Sequence, residues 1–376
     1  MSFDVLVLNT AVSDFRSSEF AFTEKLAGPG GLARCKTQDM PEYTQKQYKN
    51  WIDKGMVTAG GPGNTAPLIA KTDLKVAVGV NLGKGNFNSL DAQGRYFYDT
   101  MTKYNVDMSQ TFIHPKLPTG TTFIYEKVNH ERGGIAYFPN ANNDFDFEYF
   151  KKSVEKLNPK IVFYMYSGLS ERGDANDGKD LAGFIKWCRV KGIVTIVDSH
   201  TLTGNPQKLI EEKTSIPEYT LLKPLLPELD IFFTSYDEAR MIANALGENI
   251  SEQEFIVNFL RYLSGQYNNF KIFGVTVKDG AYIVYKDAKG NVTGSEKITS
   301  RFMGEGVNDL VGAGDSFRAG VVTYIAENID KFRKDKIDIE EAIQMGNLFA
   351  SRYIKAPLNN RYGSIEHYDT MLEMIK

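Results

Sequence analysis

Short apolar runs rich in β-branched residues recur along the chain and predict buried strands. They occupy residues 5–8, 76–80, 161–164, 193–197, 231–233 and 272–277. Apolar residues recur with helical spacing over residues 145–157, 181–189, 237–246 and 254–263. Strands that alternate with helices are typical of an α/β protein with a doubly wound, mostly parallel central sheet flanked by helices.

Two regions, residues 14–56 and 106–138, interrupt this alternation. In the second region, residues 111–113, 121–125 and 135–138 predict short antiparallel strands that form a small appendage. The role of residues 18–53 is not evident from the sequence, although residues 43–51 fit an amphipathic helix. Helices are also predicted from Asp315 to residue 328 and over residues 339–354, and we expect one domain over residues 1–376.

Composition and charge exclude several classes of protein. The 376 residues include 44 Lys and Arg against 47 Asp and Glu, so the formal net charge is −3 and no nucleic-acid surface is indicated. The apolar run at residues 5–8 is too short for a signal peptide or a membrane span, and a cytoplasmic location is expected. Cys35 and Cys188 form no disulfide framework.

A glycine-rich segment is the strongest candidate for chemistry. Gly312, Ala313 and Gly314 come directly before Asp315 and a helical pattern. A glycine loop that enters a helix presents backbone N–H groups at the positive end of the helix dipole, which suits a phosphate in transfer. Asp315 could then accept a proton from an attacking hydroxyl. The alternative is an ordinary glycine loop with Asp315 as a helix N-cap.

Other chemical signatures are weak or missing. The run from Gly61 to Ala66 has the spacing of a dinucleotide-binding fingerprint, but no buried strand is predicted before it. A Gly-x-x-x-x-Gly-Lys-Ser/Thr loop and the protein-kinase motifs are absent. The four histidines lack the spacing of zinc ligands.

The run Asp309-Leu-Val-Gly-Ala-Gly-Asp315 resembles the C-terminal signature of the ribokinase-like, pfkB family of carbohydrate kinases, and Gly60-Gly-Pro-Gly-Asn-Thr-Ala66 is similar to the N-terminal signature. Further similar segments follow in the expected order at Asp14 and at residues 76–83, 91–94, 118–122, 138–142, 198, 235–239 and 275–281. The resemblance covers nearly the whole chain and implies a ribokinase-like fold with a small β-sheet lid, formed by residues of about 14–56 and 106–138.

The resemblance implies a role for each matching residue. Substrate hydroxyls are expected to bind at Asp14, Gly60, Gly61 and Asn64. Gly312, Ala313 and Gly314 are expected to form the anion hole, Asp315 to act as the catalytic base, and Thr276, Lys278, Gly280 and Asn347 to lie near the nucleotide. Mg²⁺ is expected to be held indirectly near Glu238 and Ser235, and a monovalent cation such as K⁺ at Asp309 and the Val311 carbonyl. ATP and Mg²⁺ are the implied cofactors.

Two positions depart from the family pattern. Ser235 stands where the family's metal-organising motif has asparagine, although a serine hydroxyl can still bind a metal-bound water. Lys278 stands where the family usually has glycine, and an exposed turn is an alternative to a phosphate contact.

Three functions are compatible with these residues. The first is transfer of the ATP γ-phosphate to a hydroxyl of a sugar or sugar derivative. The second is phosphorylation of a nucleoside, for which Phe112, Phe123 and Tyr125 are candidates to stack on a base, with plain core packing as the alternative. The third is non-catalytic sugar binding. A small-molecule partner is expected, neither nucleic acid nor membrane is, and the lid could form a homodimer contact.

Overall fold

The computed structural model describes residues 2–28, 31–125, 133–200 and 202–376. Its strands are β1 (Val5–Leu8), β2 (Val12–Ser17), β3 (Leu32–Lys36), β4 (Val57–Gly60), β5 (Val76–Gly79), β6 (Asn81–Phe87), β7 (Phe112–His114), β8 (Gly120–Tyr125), β9 (Gly134–Phe138), β10 (Ile161–Tyr164), β11 (Val194–Asp198), β12 (Ile231–Ser235), β13 (Ile272–Val277), β14 (Gly280–Lys286) and β15 (Val292–Thr299).

The helices between and after these strands are α1 (Gln45–Asp53), α2 (Ala66–Ala70), α3 (Ala92–Lys103), α4 (Phe147–Leu157), α5 (Lys179–Val190), α6 (Pro206–Glu211), α7 (Leu222–Leu225), α8 (Tyr236–Leu246), α9 (Phe255–Gln266), α10 (Ala313–Glu327), α11 (Ile329–Arg333), α12 (Ile339–Lys355) and α13 (Tyr368–Ile375). Each strand and helix predicted for the α/β alternation is present, with boundaries that differ by a few residues.

An eight-stranded sheet forms the centre of the molecule. Its order is β15-β14-β13-β12-β11-β10-β1-β5, and only β14 and β15 run antiparallel to their neighbours. Along β1, Val5 and Val7 enter one hydrophobic core while Leu6 and Leu8 enter the other. Because both faces are covered by helices, the strands are apolar throughout rather than alternating. The predicted mostly parallel α/β sheet is confirmed.

A second sheet, which we call the lid sheet, has the order β3-β9-β8-β2-β4. The prediction that its strands are antiparallel was right only in part, because β8 runs parallel to β2 and β3 parallel to β9. For residues 111–113, a strand was predicted and is present as β7, which begins at Phe112, but its expected place in the appendage was wrong. It pairs in parallel with β6 in a separate two-stranded sheet.

The side chains of the lid sheet alternate between its two faces, as the period of a strand requires. One face carries Phe15, Phe123 and Tyr137, which pack with Phe20 and Trp51 in a separate buried cluster. Phe20 and α1, which carries Trp51, both come from residues 18–53. This segment therefore covers the outer face of the lid sheet.

The opposite face of the lid sheet looks toward the carboxyl ends of the central parallel strands. Asp198 and Ser235 end β11 and β12, and Thr276 lies near the end of β13. In open α/β sheets, ligands bind beyond these strand ends. Helix α10, buried from Asp315 to Ala326, begins at the same edge. Within the described ranges, no helix is long and apolar enough to cross a membrane.

Candidate active site

A cavity of about 600 Å³ lies between the lid sheet and the carboxyl ends of the central strands. Asp14 and Thr122 line it from the lid, and Asp198, Thr276 and Asp315 line it from the central sheet and α10. Strands of both sheets thus place carboxylates and hydroxyls around one shared space. A cavity with a few converging polar groups is the usual form of a small-molecule site.

Asp315 lies in the first turn of α10 and is only 8% exposed. Its Oδ2 atom accepts hydrogen bonds from Asn64 Nδ2 at 2.9 Å and from the Tyr166 hydroxyl at 2.7 Å. It therefore does not cap the helix, because Gly312 is the N-cap residue and no side chain caps that end. These contacts hold the carboxyl group at the cavity wall.

The glycine loop depends on an unusual backbone conformation at Gly312. This residue has a φ of +86°, and an added Cβ would lie 2.9 Å from the Tyr353 ring and 3.0 Å from Asn64. Glycine tolerates both the positive φ and the close approach. The turn brings Ala313 and Gly314 to the cavity at the N-terminus of α10, where backbone N–H groups favour an anion.

Arg318 joins two carboxyl groups beside the loop. Its Nη2 lies 3.0 Å from Asp198 Oδ1, and its Nη1 lies 3.8 Å from Asp315 Oδ1. Burial raises the pKa of Asp198 well above its usual range, and the nearby Asp315 carboxylate adds to this shift, whereas Arg318 opposes it.

Asp14 lies on β2 and faces the cavity, as predicted for a substrate ligand. Gly60 pairs with the neighbouring part of β2, and an added Cβ there would lie 2.5 Å from Asp14 Oδ2. Gly61 and Asn64 also line the cavity, whereas Gly60 lies against Asp14 and is not among the lining residues. Burial raises the pKa of Asp14 to about 6, although Arg16 partly offsets the shift.

The predicted metal residues lie at the start of α8. Ser235 is the N-cap: its Oγ accepts from the Glu238 N–H at 3.4 Å, and Glu238 Oε2 accepts from the Ser235 N–H at 2.7 Å. This reciprocal pair is a capping box. Both residues also line the cavity near Asp198. Oxygen donors of this kind suit Mg²⁺ held through water. Among the residues that the structure describes, no cluster of three or more acidic, histidine or cysteine side chains could hold a metal directly.

The four predicted nucleotide residues are not gathered in the same way. Thr276 lines the cavity. Asn347 is buried within α12, where its Nδ2 donates to Gln344 Oε1 at 3.2 Å. Lys278 is exposed, in the turn between β13 and β14, and Gly280 is the first residue of β14. The exposed-turn interpretation of Lys278 therefore agrees with its position.

The aromatic residues expected to stack on a base are elsewhere. Phe123 belongs to the cluster on the outer face of the lid sheet. Phe112 lies on β7, with its ring 5.9 Å from that of Tyr149. Tyr125 ends β8 and is not among the cavity-lining residues. Among the residues that the structure describes, the aromatic side chains that line the cavity are Phe138, Tyr166 and His200.

Asp309 and Val311 lie beside the glycine loop, but both interact with Arg361. Arg361 Nη2 pairs with Asp309 Oδ2, and Arg361 Nη1 donates to the Val311 carbonyl at 3.1 Å. Arg16 Nη1 also lies 2.7 Å from Asp309 Oδ2. The oxygen atoms expected to bind a monovalent cation thus already have cationic partners.

Sequence reasoning missed Arg16, Tyr166, Arg318, Tyr353 and Arg361. Arg16 had a local signal, since it lies two positions after Asp14 on the same face of a strand. Arg361 had none, because it comes from the segment after α12.

The dinucleotide fingerprint requires a different correction: a buried strand, β4, does precede Gly61. That strand pairs antiparallel with β2 in the lid sheet and is not part of a βαβ unit.

Asp315 directly follows the glycine loop and lies between the carboxyl edge of the parallel sheet and the lid sheet. This arrangement indicates a small-molecule kinase. The pfkB family carbohydrate kinase model matches residues 39–358, and the chain belongs to this family. It is a phosphotransferase that acts on an alcohol group. Asp14, Arg16 and Arg361 lie outside the matched residues.

Solved structures support the same fold. A fructokinase with bound ATP from Xylella fastidiosa superposes with a TM-score of 0.67 at 17% identity, covering 99% of this chain and 98% of the other. An adenosine kinase from Anopheles gambiae, in complex with P1,P4-di(adenosine-5) tetraphosphate, gives 0.68 at 15% identity, covering 96% and 98%. Adenosine kinase from Sinorhizobium meliloti gives 0.65 at 17%, covering 97% and 98%. No curated protein matches the sequence.

Proposed function

We propose that this protein transfers the γ-phosphate of ATP to a hydroxyl group of a sugar or sugar derivative, with Asp315 as the general base. The observation that carries the proposal is the position of Asp315, which is held by Asn64 and Tyr166 at the wall of the cavity and directly follows the glycine loop. A base at this position can take the proton of a hydroxyl while that oxygen attacks phosphorus.

Each polar group around Asp315 has a separate role in the proposed reaction. Asp14 and Asn64 are positioned to bind substrate hydroxyls and orient one of them toward Asp315. The N–H groups at the start of α10 stabilise negative charge on the transferred phosphoryl group. The lid sheet closes the cavity on the side opposite the strands and excludes the water that would otherwise hydrolyse ATP.

Mg²⁺ would be held on the α8 side of the cavity. The Glu238 carboxylate and the Ser235 hydroxyl line the cavity there and fit a metal bound through water and phosphate oxygens. When bound, the ion neutralises phosphate charge. We also propose that Thr276, Gly280 and Asn347 lie near the nucleotide, because Thr276 is on the cavity wall and the other two belong to neighbouring elements.

A nucleoside is the second candidate substrate, and the lining of the cavity favours it in one respect. The cavity has apolar walls in addition to its polar groups: Leu32, Ile124, Phe138, Leu169 and Leu202. An apolar wall suits a planar base better than a sugar that is hydroxylated on every side. Sugar and nucleoside acceptors share the hydroxyl that Asp315 would activate.

An ADP-release assay tests the proposal. The protein with Mg-ATP is offered ribose, fructose, sugar phosphates, ketodeoxy sugar acids and nucleosides, and we expect at least one class to stimulate ADP release. Asp315→Asn should reduce kcat by about a hundredfold or more and change substrate affinity much less, because the amide keeps the shape but cannot accept the proton. Asp330→Asn, at an exposed position on α11, is the matched control.

Two results would contradict the proposal. Equal turnover by Asp315→Asn and the unaltered protein would remove Asp315 from the role of base. Binding of a sugar or nucleoside in a thermal-shift assay, without any ADP release, would support non-catalytic binding instead.

A further inference from the structure

The loop that precedes α10 holds a buried group of three charged side chains. Asp309 is fully buried, and the side chains of Arg16 and Arg361 are each 2% exposed. Both guanidinium groups contact the same oxygen, Asp309 Oδ2, and Asp309 Oδ1 accepts from the Val311 N–H at 3.0 Å. The three residues come from the lid sheet, the loop and the C-terminal segment, so this contact joins three separate parts of the chain.

This arrangement does not fit a bound monovalent cation. K⁺ replaces its hydration shell with several protein oxygens. Here the Asp309 carboxylate and the Val311 carbonyl, which the family resemblance assigns to the ion, accept from Arg361. Both oxygens therefore already have a guanidinium donor, and a bound cation would have to displace Arg361 from them.

The same guanidinium connects to the candidate base through two side chains. Arg361 Nη1 donates to the Tyr353 hydroxyl at 2.8 Å, and that hydroxyl donates to Asn64 Oδ1 at 2.5 Å. Asn64 Nδ2 then donates to Asp315 Oδ2 at 2.9 Å. Because Tyr353 occupies the amide oxygen, the amide nitrogen of Asn64 is turned toward Asp315. Arg361 therefore fixes both the carbonyl of the loop and the orientation of a residue that contacts the base.

We propose that Arg361, supported by Arg16, is a built-in cation that takes the place of a monovalent ion beside the glycine loop, so that the enzyme works without K⁺. Arginine suits this role because it stays charged when buried and its planar donors reach several acceptors at once. Arg361 is a positioning residue that acts through Tyr353 and Asn64. The kinetic part of this inference rests on the proposed function, and the structural part does not.

The kinetic test compares KCl with choline chloride at constant ionic strength, because surface electrostatics also respond to salt. For the unaltered protein, we expect the rates to agree within about twofold. Arg361→Ala should lose about tenfold or more in kcat and should recover part of it when millimolar guanidinium or K⁺ is added, since either ion can enter the vacated position. Arg361→Lys retains a cation and should lose less. Arg261→Met removes an exposed arginine on α9 and should respond like the unaltered protein.

The structural test uses thermal melting and needs no substrate. For the unaltered protein, exchange of choline for K⁺ should shift Tm by less than about 1 °C, because no ion binds at this position. Arg361→Ala should gain about 2 °C or more with K⁺ or guanidinium at low concentration. This result would stand even if no substrate is phosphorylated.

A K⁺-specific rise in Tm for the unaltered protein, or a tenfold loss of its activity in choline chloride, would overturn the inference. An Arg361→Ala protein that folds and shows no response to either ion would do so as well. If the alanine variant does not fold, the comparison of choline with K⁺ on the unaltered protein still decides whether K⁺ binds beside the glycine loop.

Discussion

At the scale of single residues, Asp14, which we propose binds substrate, lowers the stability of the folded protein at neutral pH. Burial raises its pKa from 3.8 to about 6, so the folded protein binds a proton there more tightly than the unfolded chain does. Folding stability from this residue is therefore greatest at low pH and falls as pH rises between these two values. Above about pH 6 the carboxylate is ionised and can accept hydrogen bonds from substrate hydroxyls.

Opposite pH dependences of binding and stability are therefore expected. For the unaltered enzyme, kcat/KM should fall by about tenfold per pH unit below about pH 6, because protonated Asp14 cannot accept a substrate hydroxyl. Asp14→Asn should bind substrate weakly at every pH and lack this limb. At pH 7.5 it should be more stable by about 1–3 kcal/mol, a difference that shrinks toward pH 4.

Rate profiles and thermal melting measured from pH 4.5 to 8 check both expectations. If kcat/KM of Asp14→Asn falls with the same midpoint pH, the fall is caused by another titrating group. An Asn variant less stable than the unaltered protein at pH 7.5 would show that the Asp14 charge is compensated in the folded state.

Site residues could be predicted where a motif is local in sequence. The glycine loop with Asp315, and the run from Gly60 to Asn64, are recognisable because neighbouring residues perform one task. Tyr353 contacts Asn64 and Arg361 contacts Val311, and neither residue belongs to a recognisable sequence motif. Their contribution follows from tertiary packing, which spacing along the sequence does not encode.

At the scale of secondary-structure elements, Ser235 has an observed capping role and a proposed metal role, and these can be separated. It caps α8 through the box it forms with Glu238, and it faces the cavity where metal-bound water is expected. Asparagine is as good an N-cap as serine, whereas alanine cannot accept the hydrogen bond.

We therefore expect Ser235→Ala to cost about 1 kcal/mol of stability and Ser235→Asn only a few tenths. Denaturant unfolding measures the cap, and the Mg²⁺ concentration needed for half-maximal ADP release measures the metal role. If both variants keep the Mg²⁺ requirement of the unaltered protein, Ser235 serves the helix alone. If Ser235→Ala is as stable as the unaltered protein, the box contributes nothing measurable.

Elements of the central sheet were predictable, and the pairing within the lid sheet was not. Strands such as β1 and β10 are short, continuously apolar and followed by helices, so their burial is evident in the sequence. In the lid sheet, β3 carries Arg34 and Lys36, and β9 begins at a glycine. Its partners lie far apart in the chain, and nothing in residues 112–114 indicates that they pair with β6 in a separate sheet.

At the scale of the whole molecule, both faces of the lid sheet are turned toward other parts of the same chain, as far as the described residues show. Its inner face lines the cavity, and its outer face is covered by Phe20, Trp51 and the other aromatic residues of the buried cluster. A large apolar surface that could drive dimerisation has been buried within one chain. A dimer that pairs two lid faces is therefore not expected.

We expect the protein to be a monomer of 42.2 kDa in solution. Size-exclusion chromatography with light scattering at micromolar concentration measures this directly. A mass of twice that value would contradict the expectation, and Trp51→Ala distinguishes the cause: a dimer that used the covered face would change its dissociation constant in this variant.

The ion pair between Arg16 and Asp309 also has a consequence for synthesis of the chain. These two residues are 293 positions apart, and the Asn64–Tyr353 contact spans 289. A ribosome that has released the lid strands has not yet made the residues that neutralise and orient them, so Arg16 emerges long before its partner. The amino-terminal half can form β1 and β5 beside each other early, but the candidate site is complete only after Arg361 has been translated. A chain that ends before Arg361 would therefore lack a finished active site even if its central sheet were folded.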